Sequence, residues 1–292
     1  MKLRQIRDAL LQQEDLNFLL TNRLPRTTLT RFMGRLSRVR QPLVRDVSIG
    51  LFKAFCDPNL AEARKQRFDS LHDCFVRELQ PGARPFVADS RIVASPCDAI
   101  VGACGSAAGT EVFQAKGFPY QISELFGPTQ DTRPYNDGMY VTLRLTAGMY
   151  HRFHAPVDCT VEHVTYISGD TWNVNPIALK RIERLFCHNE RAVLRLRSQP
   201  TGHPLAIVAV AAILVASIRL HFLDLLLHLR YRGANEIPCN FTMPRGTEMG
   251  WFEHGSTLLL FAPKGFQLAP DIHPGQRICA GQPLLHFSQD FD

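Results

Sequence analysis

The chain of 292 residues is 45% hydrophobic and 21% charged, an ordinary globular composition with enough chain for one large domain or two small ones. A core of that size needs no disulfide or metal staple. The eight cysteines contain no C-x-x-C pair and no zinc-ligand spacing, so reduced, buried thiols in a cytosolic compartment are expected. The net charge of +6 is concentrated, because residues 1–55 carry eleven Lys/Arg against four acids while the rest carry 22 against 23. A polyanionic partner, a membrane surface or a nucleic acid, should therefore meet the N-terminal end.

The N-terminus lacks the apolar core of a cleavable signal peptide. Residues 1–21 read as a helix of mixed polarity, interrupted by Pro25. Thr27 or Thr28 can cap a second helix, with apolar side chains at Leu29, Phe32, Met33, Leu36 and Val39, then Leu43. Pro42 should end or kink it. Arg31, Arg35 and Arg38 fall on the opposite face. A basic amphipathic helix of this kind can lie in a membrane interface, each arginine adding roughly 1 kcal/mol near an anionic leaflet. The alternative is a surface helix packed on the body.

Residues 60–80 read as another helix, closed by the Pro/Gly turn before Pro85. Beyond it, short runs rich in Val, Ile, Thr and Phe predict strands at Arg91–Ala94, Val112–Lys116, Tyr140–Leu145, Thr160–Tyr166, Ala192–Leu196 and Thr257–Phe261. The expected fold is α+β, with N-terminal amphipathic helices over residues 1–58 on a mostly antiparallel, β-rich body over 59–292. The apolar stretch Pro204–Ile218 is shorter than the ~20 residues that span a bilayer. Arg219 and His221 stop it, so a buried strand pair or core helix is expected.

Three features carry chemistry. Asp98 follows a Ser95-Pro turn, a position usually structural. His151 and His154 lie three apart in Tyr150-His-Arg-Phe-His154, with no spacing that suggests a metal site. Ser256 sits in Phe252-Glu-His-Gly-Ser-Thr257, ahead of an apolar strand. Together they supply an acid, an imidazole and a hydroxyl, the inventory of a Ser/His/Asp triad. The G-x-S-x-G elbow and the strand–helix alternation of α/β-hydrolases are absent.

Across nearly its whole length the chain resembles the phosphatidylserine decarboxylases. The resemblance is carried by Phe75-Val-Arg-Glu-Leu-Gln-Pro-Gly-Ala-Arg-Pro85, Ser95-Pro-Cys-Asp98, Gln114-Ala-Lys-Gly-Phe-Pro-Tyr120 and Tyr150-His-Arg-Phe-His-Ala-Pro156. It continues in Asn173-Val-Asn175, Asn189-Glu-Arg191 and Arg245–Thr257. It implies that Asp98 and His154 activate Ser256 to attack the carbonyl of Gly255. The chain then cuts itself between Gly255 and Ser256 into a β chain, 1–255, and an α chain, 256–292. Ser256 becomes a covalent pyruvoyl group that captures the substrate amine and accepts electrons as carbon dioxide leaves. His151 would be the proton donor to the carbanion. Gly255, lacking a side chain, suits the unusual backbone geometry such an attack needs.

The resemblance further implies phosphatidylserine as substrate and an anionic membrane surface met by the N-terminal helices. It implies no nucleic acid and no metal, β and α chains that stay associated, and a homodimer of cleaved protomers. A peripheral place on the cytoplasmic face of the inner membrane would follow. This sequence departs from the family's pattern at Cys97 and Ala99, around Asp98, and at His254, beside the scissile bond; His254 could make processing pH-sensitive. Two other readings remain. A hydrolase would use the triad for turnover in an uncut chain, and a membrane-binding scaffold would bind anionic vesicles without releasing carbon dioxide.

Overall fold

A computed structural model describes residues 26–114, 118–212, 217–228, 230–253 and 256–287. The helix expected over 1–21, the strand end at Lys116, and both His254 and Gly255 lie outside the described residues. The N-terminal part is helical: α1 (Arg26–Leu36), α2 (Pro42–Cys56) and the short α3 (Leu71–Phe75). The body begins with β1 (Ile92–Ala94), β2 (Ala99–Ser106), β3 (Glu111–Phe113), β4 (Pro119–Gln121), α4 (Ile122–Phe126), β5 (Met139–Leu145), β6 (Arg152–His154) and β7 (Cys159–Ile167). Next come α5 (Pro176–Arg181), α6 (Leu185–His188), β8 (Arg191–Ser198), β9 (Pro204–Ala211), β10 (Ser217–Leu220), β11 (Leu225–His228) and β12 (Glu236–Met243). The chain closes with β13 (Glu248–Phe252), β14 (Ser256–Ala262), β15 (Phe266–Leu268), β16 (Arg277–Ile278) and β17 (Pro283–Phe287).

An eight-stranded antiparallel sheet, in the order β12-β7-β8-β9-β14-β5-β2-β16, forms the centre. Its middle strands explain the apolar runs seen in the sequence. Side chains alternate across a strand. Leu205, Ile207 and Ala209 of β9, with Leu258 and Leu260 of β14, enter one core. Ala206, Val208 and Val210, with Leu259 and Phe261, enter the core on the opposite face. Both faces are covered, so neither strand needs a polar side, and Pro204–Ala211 is a strand buried in protein. The first core is closed by the sheets β1-β17-β15 and β11-β10-β13-β6, the second by α4, α5 and α6.

Two local expectations differ from the structure. The first helix stops at Leu36, before Pro42 is reached, and Pro42 opens α2 at the first helical position, with the Gln41 side chain accepting from Val44 N–H. An N–H lost at that position is one the helix does not use, so Leu43 belongs to the new helix. Residues 60–80 form only the short α3, because the backbone on either side pairs with itself. Arg64 N–H donates to Glu78 C=O (2.9 Å), Gln80 N–H donates to Glu62 C=O (2.8 Å), and Ala63 bridges Leu79. Ser70 then caps the turn at Asp73 N–H (3.1 Å). A third small core of Phe52, Ala63, Phe68, Leu71, Phe75 and Val76 seats α2 on this segment.

Candidate active site

Ser256 is the first residue of β14, paired across from Leu145 of β5 and Ala211 of β9. It is fully buried, and its Oγ has no hydrogen-bond partner among the described residues. A buried, unsatisfied hydroxyl costs about 1–3 kcal/mol and calls for an explanation, of which a chemical role is one. Thr146, the residue after Leu145, lines a cavity of about 540 Å³ that is also lined by Asp98, Tyr150, Cys279, Arg77, Arg84 and Arg277.

Asp98 ends a turn closed by Ser95 Oγ on Cys97 C=O (2.8 Å). The turn is fixed from the far end of the chain: Ser95 N–H donates to Gln282 C=O (2.7 Å) and Gly281 N–H donates to Ser95 C=O (2.9 Å). The Asp98 carboxylate accepts Nε and Nη2 of Arg84 at 2.8 and 2.6 Å and the N–H of Ala280 at 2.9 Å. This two-pronged pairing raises the Arg84 guanidinium above its ordinary value.

His154 closes β6, directly behind the Asp98 turn, where its N–H donates to Pro96 C=O at 2.8 Å. Its ring nitrogens are committed elsewhere. Nδ1 lies 3.0 Å from Gly246 C=O and Nε2 lies 3.0 Å from the Tyr150 hydroxyl. A carbonyl only accepts, so Nδ1 carries the hydrogen and Nε2 accepts from Tyr150. Asp98, on its turn, and His154, at the end of β6, thus have no hydrogen bond between them, and Tyr150, bonded to the imidazole, lines the cavity. His151, on the same run, is buried, with the Phe75 ring tilted against it at 4.0 Å between centroids and Nδ1 2.9 Å from Met149 C=O. The C=O of His151 accepts the N–H of Phe252, which ties it to the strand leading toward Ser256.

The cavity wall also includes Cys56 and Asp57, at the C-terminal end of α2. They come this close because residue 148 is glycine; a Cβ there would lie 2.2 Å from Cys56 C=O. Among the described residues no group of three or more His, Cys, Asp or Glu side chains could hold a metal ion.

A sequence model of the family described as phosphatidylserine decarboxylase matches residues 71–286. The chain belongs to the phosphatidylserine decarboxylase family. Its relatives include the phosphatidylserine decarboxylase proenzyme of Anaeromyxobacter sp. (strain K), 34% identical with 89% of this chain and 94% of the relative covered. The proenzyme of Myxococcus xanthus (strain DK1622) is 33% identical over 82% and 87% of the two chains. That of Vibrio cholerae is 32% identical over 90% and 95%.

Two polar residues at this candidate site escape a reading of the sequence alone. Arg84 and Tyr150 both lie inside runs that carry the family resemblance, yet nothing in their spacing assigns them partners. Only the fold brings Arg84 onto Asp98 and sets the Tyr150 hydroxyl, just ahead of β6, on the imidazole of His154 at its end.

The environment of His154 makes a prediction about pH. Burial pushes its imidazole below the ordinary value, against smaller pulls upward from the Gly246 carbonyl and the Glu248 charge. Burial penalises the imidazolium, so the proton leaves at lower pH and the neutral base persists below the usual ~6.5. If His154 is the base for Ser256, the self-cleavage rate should hold flat as pH falls through 6.5 and drop only in more acid solution. A titration centred at or above 6.5, followed by mass analysis at fixed times, would point to another group such as His254.

Proposed function

We propose that the chain is the proenzyme of a pyruvoyl-dependent phosphatidylserine decarboxylase, which cuts itself between Gly255 and Ser256 and then converts phosphatidylserine to phosphatidylethanolamine and carbon dioxide. The observation that carries this reading is the buried Ser256 hydroxyl, unpartnered among the described residues, at the head of β14 and paired across from Leu145, whose neighbour Thr146 lines the cavity with Asp98 and Tyr150.

In this reading Ser256 Oγ attacks the carbonyl carbon of Gly255, and its proton passes to His154 Nε2, directly or through Tyr150. The C–N bond breaks, the nitrogen takes a proton, and Gly255 is left as an ester on the Ser256 oxygen. Elimination across Cα–Cβ of residue 256 releases 1–255 as a carboxylate and leaves dehydroalanine. Water then displaces the nitrogen as ammonia, leaving a ketone at residue 256. Arg84 holds the Asp98 carboxylate beside the imidazole, where its charge supports the imidazolium that forms. The pyruvoyl ketone so made supplies an electron sink for the substrate's amino-bearing carbon. His151, whose Nδ1 hydrogen faces the Met149 carbonyl, has Nε2 as the nitrogen that gains a proton and passes it to the product carbon. Arg77 and Arg277 line the cavity with charges suited to the phosphate and carboxylate of a serine headgroup.

Cutting does not free the α chain. β14 keeps both neighbours, β5 and β9, while β16 pairs with β2 and β17 with β1, all in the β chain. Separation would expose Leu258, Leu259, Leu260 and Phe261, at about 1.5–3 kcal/mol each. The cleaved protomers pairing as a homodimer is part of the same proposal.

No helix among the described residues is long and apolar enough to cross a membrane. Leu43, Val47, Leu51 and Phe55 instead form an exposed stripe along α2, with Phe32 exposed on α1. Arg35 and Arg40 stand exposed nearby. The far end of α2 is the cavity wall at Cys56 and Asp57, so a bilayer meeting the stripe would lie next to the cavity mouth. We place the protein as a peripheral enzyme on the cytoplasmic face of the inner membrane, with residues 1–58 as the docking region and 59–292 as the catalytic domain. Replacing Leu43, Val47 and Leu51 together by Glu should weaken cosedimentation with phosphatidylserine-containing vesicles roughly tenfold or more, with self-cleavage intact. Equal binding by the triple variant would remove α2 as the docking surface. The function itself is tested by intact-mass analysis of the purified chain, together with carbon dioxide release from phosphatidylserine vesicles. One uncut chain that releases none would overturn it.

A further inference from the structure

The approach to the candidate cleavage site is held by a polar cluster that the chemistry above does not use. Glu253, two residues before Gly255, is 3% exposed. Its N–H donates to Ser217 C=O at 3.1 Å. Its carboxylate accepts Nη2 of Arg38 on Oε2 at 2.6 Å, and its Oε1 lies 3.0 Å from Nε2 of His72. Arg38 follows α1, and His72 lies on α3. These two pieces are themselves joined, since His72 N–H donates to Ser37 C=O at 2.8 Å. Glu253 therefore fastens the end of β13 to the N-terminal helical segment. Burial pushes its carboxyl up, but the hydrogen bond from His72 and the Arg38 and His72 charges outweigh this and hold it below the ordinary carboxylate value. A buried carboxylate with this partner set is costly to assemble and strongly orienting.

On the other side of the scissile bond, Ser256 is held in the β14 ladder opposite Leu145 and Ala211. Both described ends of the stretch 253–256 are thus pinned, one by an ionic clamp and one by strand pairing. Attack of a side-chain oxygen on the preceding carbonyl needs a sparsely populated backbone geometry. Such geometries persist only where the surroundings over-determine them.

We infer that Glu253, clamped by Arg38 and His72, is a positioning residue for cleavage at Gly255–Ser256 and makes the cutting rate depend on the seating of the N-terminal helical segment. The inference rests on the reading of Ser256 given above. Loosening the clamp removes one of the two anchors of the stretch 253–256 while leaving every reacting group in the chain.

The test follows freshly translated full-length chain, chased from one mass to two. Glu253→Ala, Glu253→Gln and the pair Arg38→Ala/His72→Ala should each cut about 10–100-fold more slowly. Arg38→Lys/His72→Gln, which keeps a donor at each position, should recover most of the rate. The same substitutions in a Ser256→Ala background, where nothing is cut, report the melting temperature of the intact fold. Slow cutting by variants that remain folded at the assay temperature, with rescue by the donor-keeping pair, supports positioning. Wild-type cutting rates in the Glu253 variants overturn it. So does slow cutting confined to variants that have melted, which makes the clamp a stability element alone. A wild-type chain that never cuts is a different failure, because it removes the Ser256 reading and this inference with it.

Discussion

Ser256→Ala should give a single uncut chain with no decarboxylase activity, where the wild type separates on a denaturing gel into 1–255 and 256–292. The effect is all or none because the oxygen removed is both the nucleophile of cleavage and the precursor of the ketone. Loss of fold is a poor competing explanation. Ser256 lies fully buried between β5 and β9, and its hydroxyl has no hydrogen-bond partner among the described residues. Deleting an unsatisfied buried hydroxyl relieves a desolvation cost of about 1–3 kcal/mol and leaves only a small void. The uncut variant should therefore melt cooperatively as a folded protein. A Ser256→Ala chain that still yields two fragments would place the cut elsewhere, whatever the surrounding sequence resembles.

Substitution of His151 should separate the two reactions. Self-cleavage should go on, while turnover of phosphatidylserine falls by about 10²–10⁴-fold, the usual contribution of a placed proton donor. His151 is buried against Phe75, so His151→Ala also opens a cavity at a cost of about 2–4 kcal/mol. His151→Gln fills most of that space and keeps an amide that can face the Met149 carbonyl. Two fragments on the gel with carbon dioxide release suppressed, in the Gln variant as in the Ala variant, is the expected result. Full turnover by His151→Gln would assign the proton to another group. Failure of folded His151→Gln to cut would move His151 into the cleavage machinery.

The strands were legible because their signal is local. Tyr140–Leu145, Thr160–Tyr166, Ala192–Leu196 and Thr257–Phe261 all fall within strands of the central sheet. Even the ambiguous run from Pro204 resolves as one side-chain alternation shared between two cores. The segment 60–80 misled for the opposite reason. Its composition favours a helix, but its backbone found partners fourteen or more residues away, and tertiary pairing outweighed a weak propensity. Asp98, His151, His154 and Ser256 could be named because they stand in runs that resemble a family, and the resemblance supplied their roles.

Residue types and their order determined by themselves the β-rich body, the basic N-terminal region, and the acid, imidazole and hydroxyl available to the site. A two-residue alternation and a run of Arg and Lys are properties of neighbours in the chain. Tertiary structure alone decided which groups meet: Arg84 on Asp98, Tyr150 on His154, Arg38 and His72 on Glu253, and the end of α2 against Gly148. Hydrogen bonds and ion pairs reach only about 3 Å. Groups separated by up to 215 residues come within that reach only once the buried strands have closed around their cores.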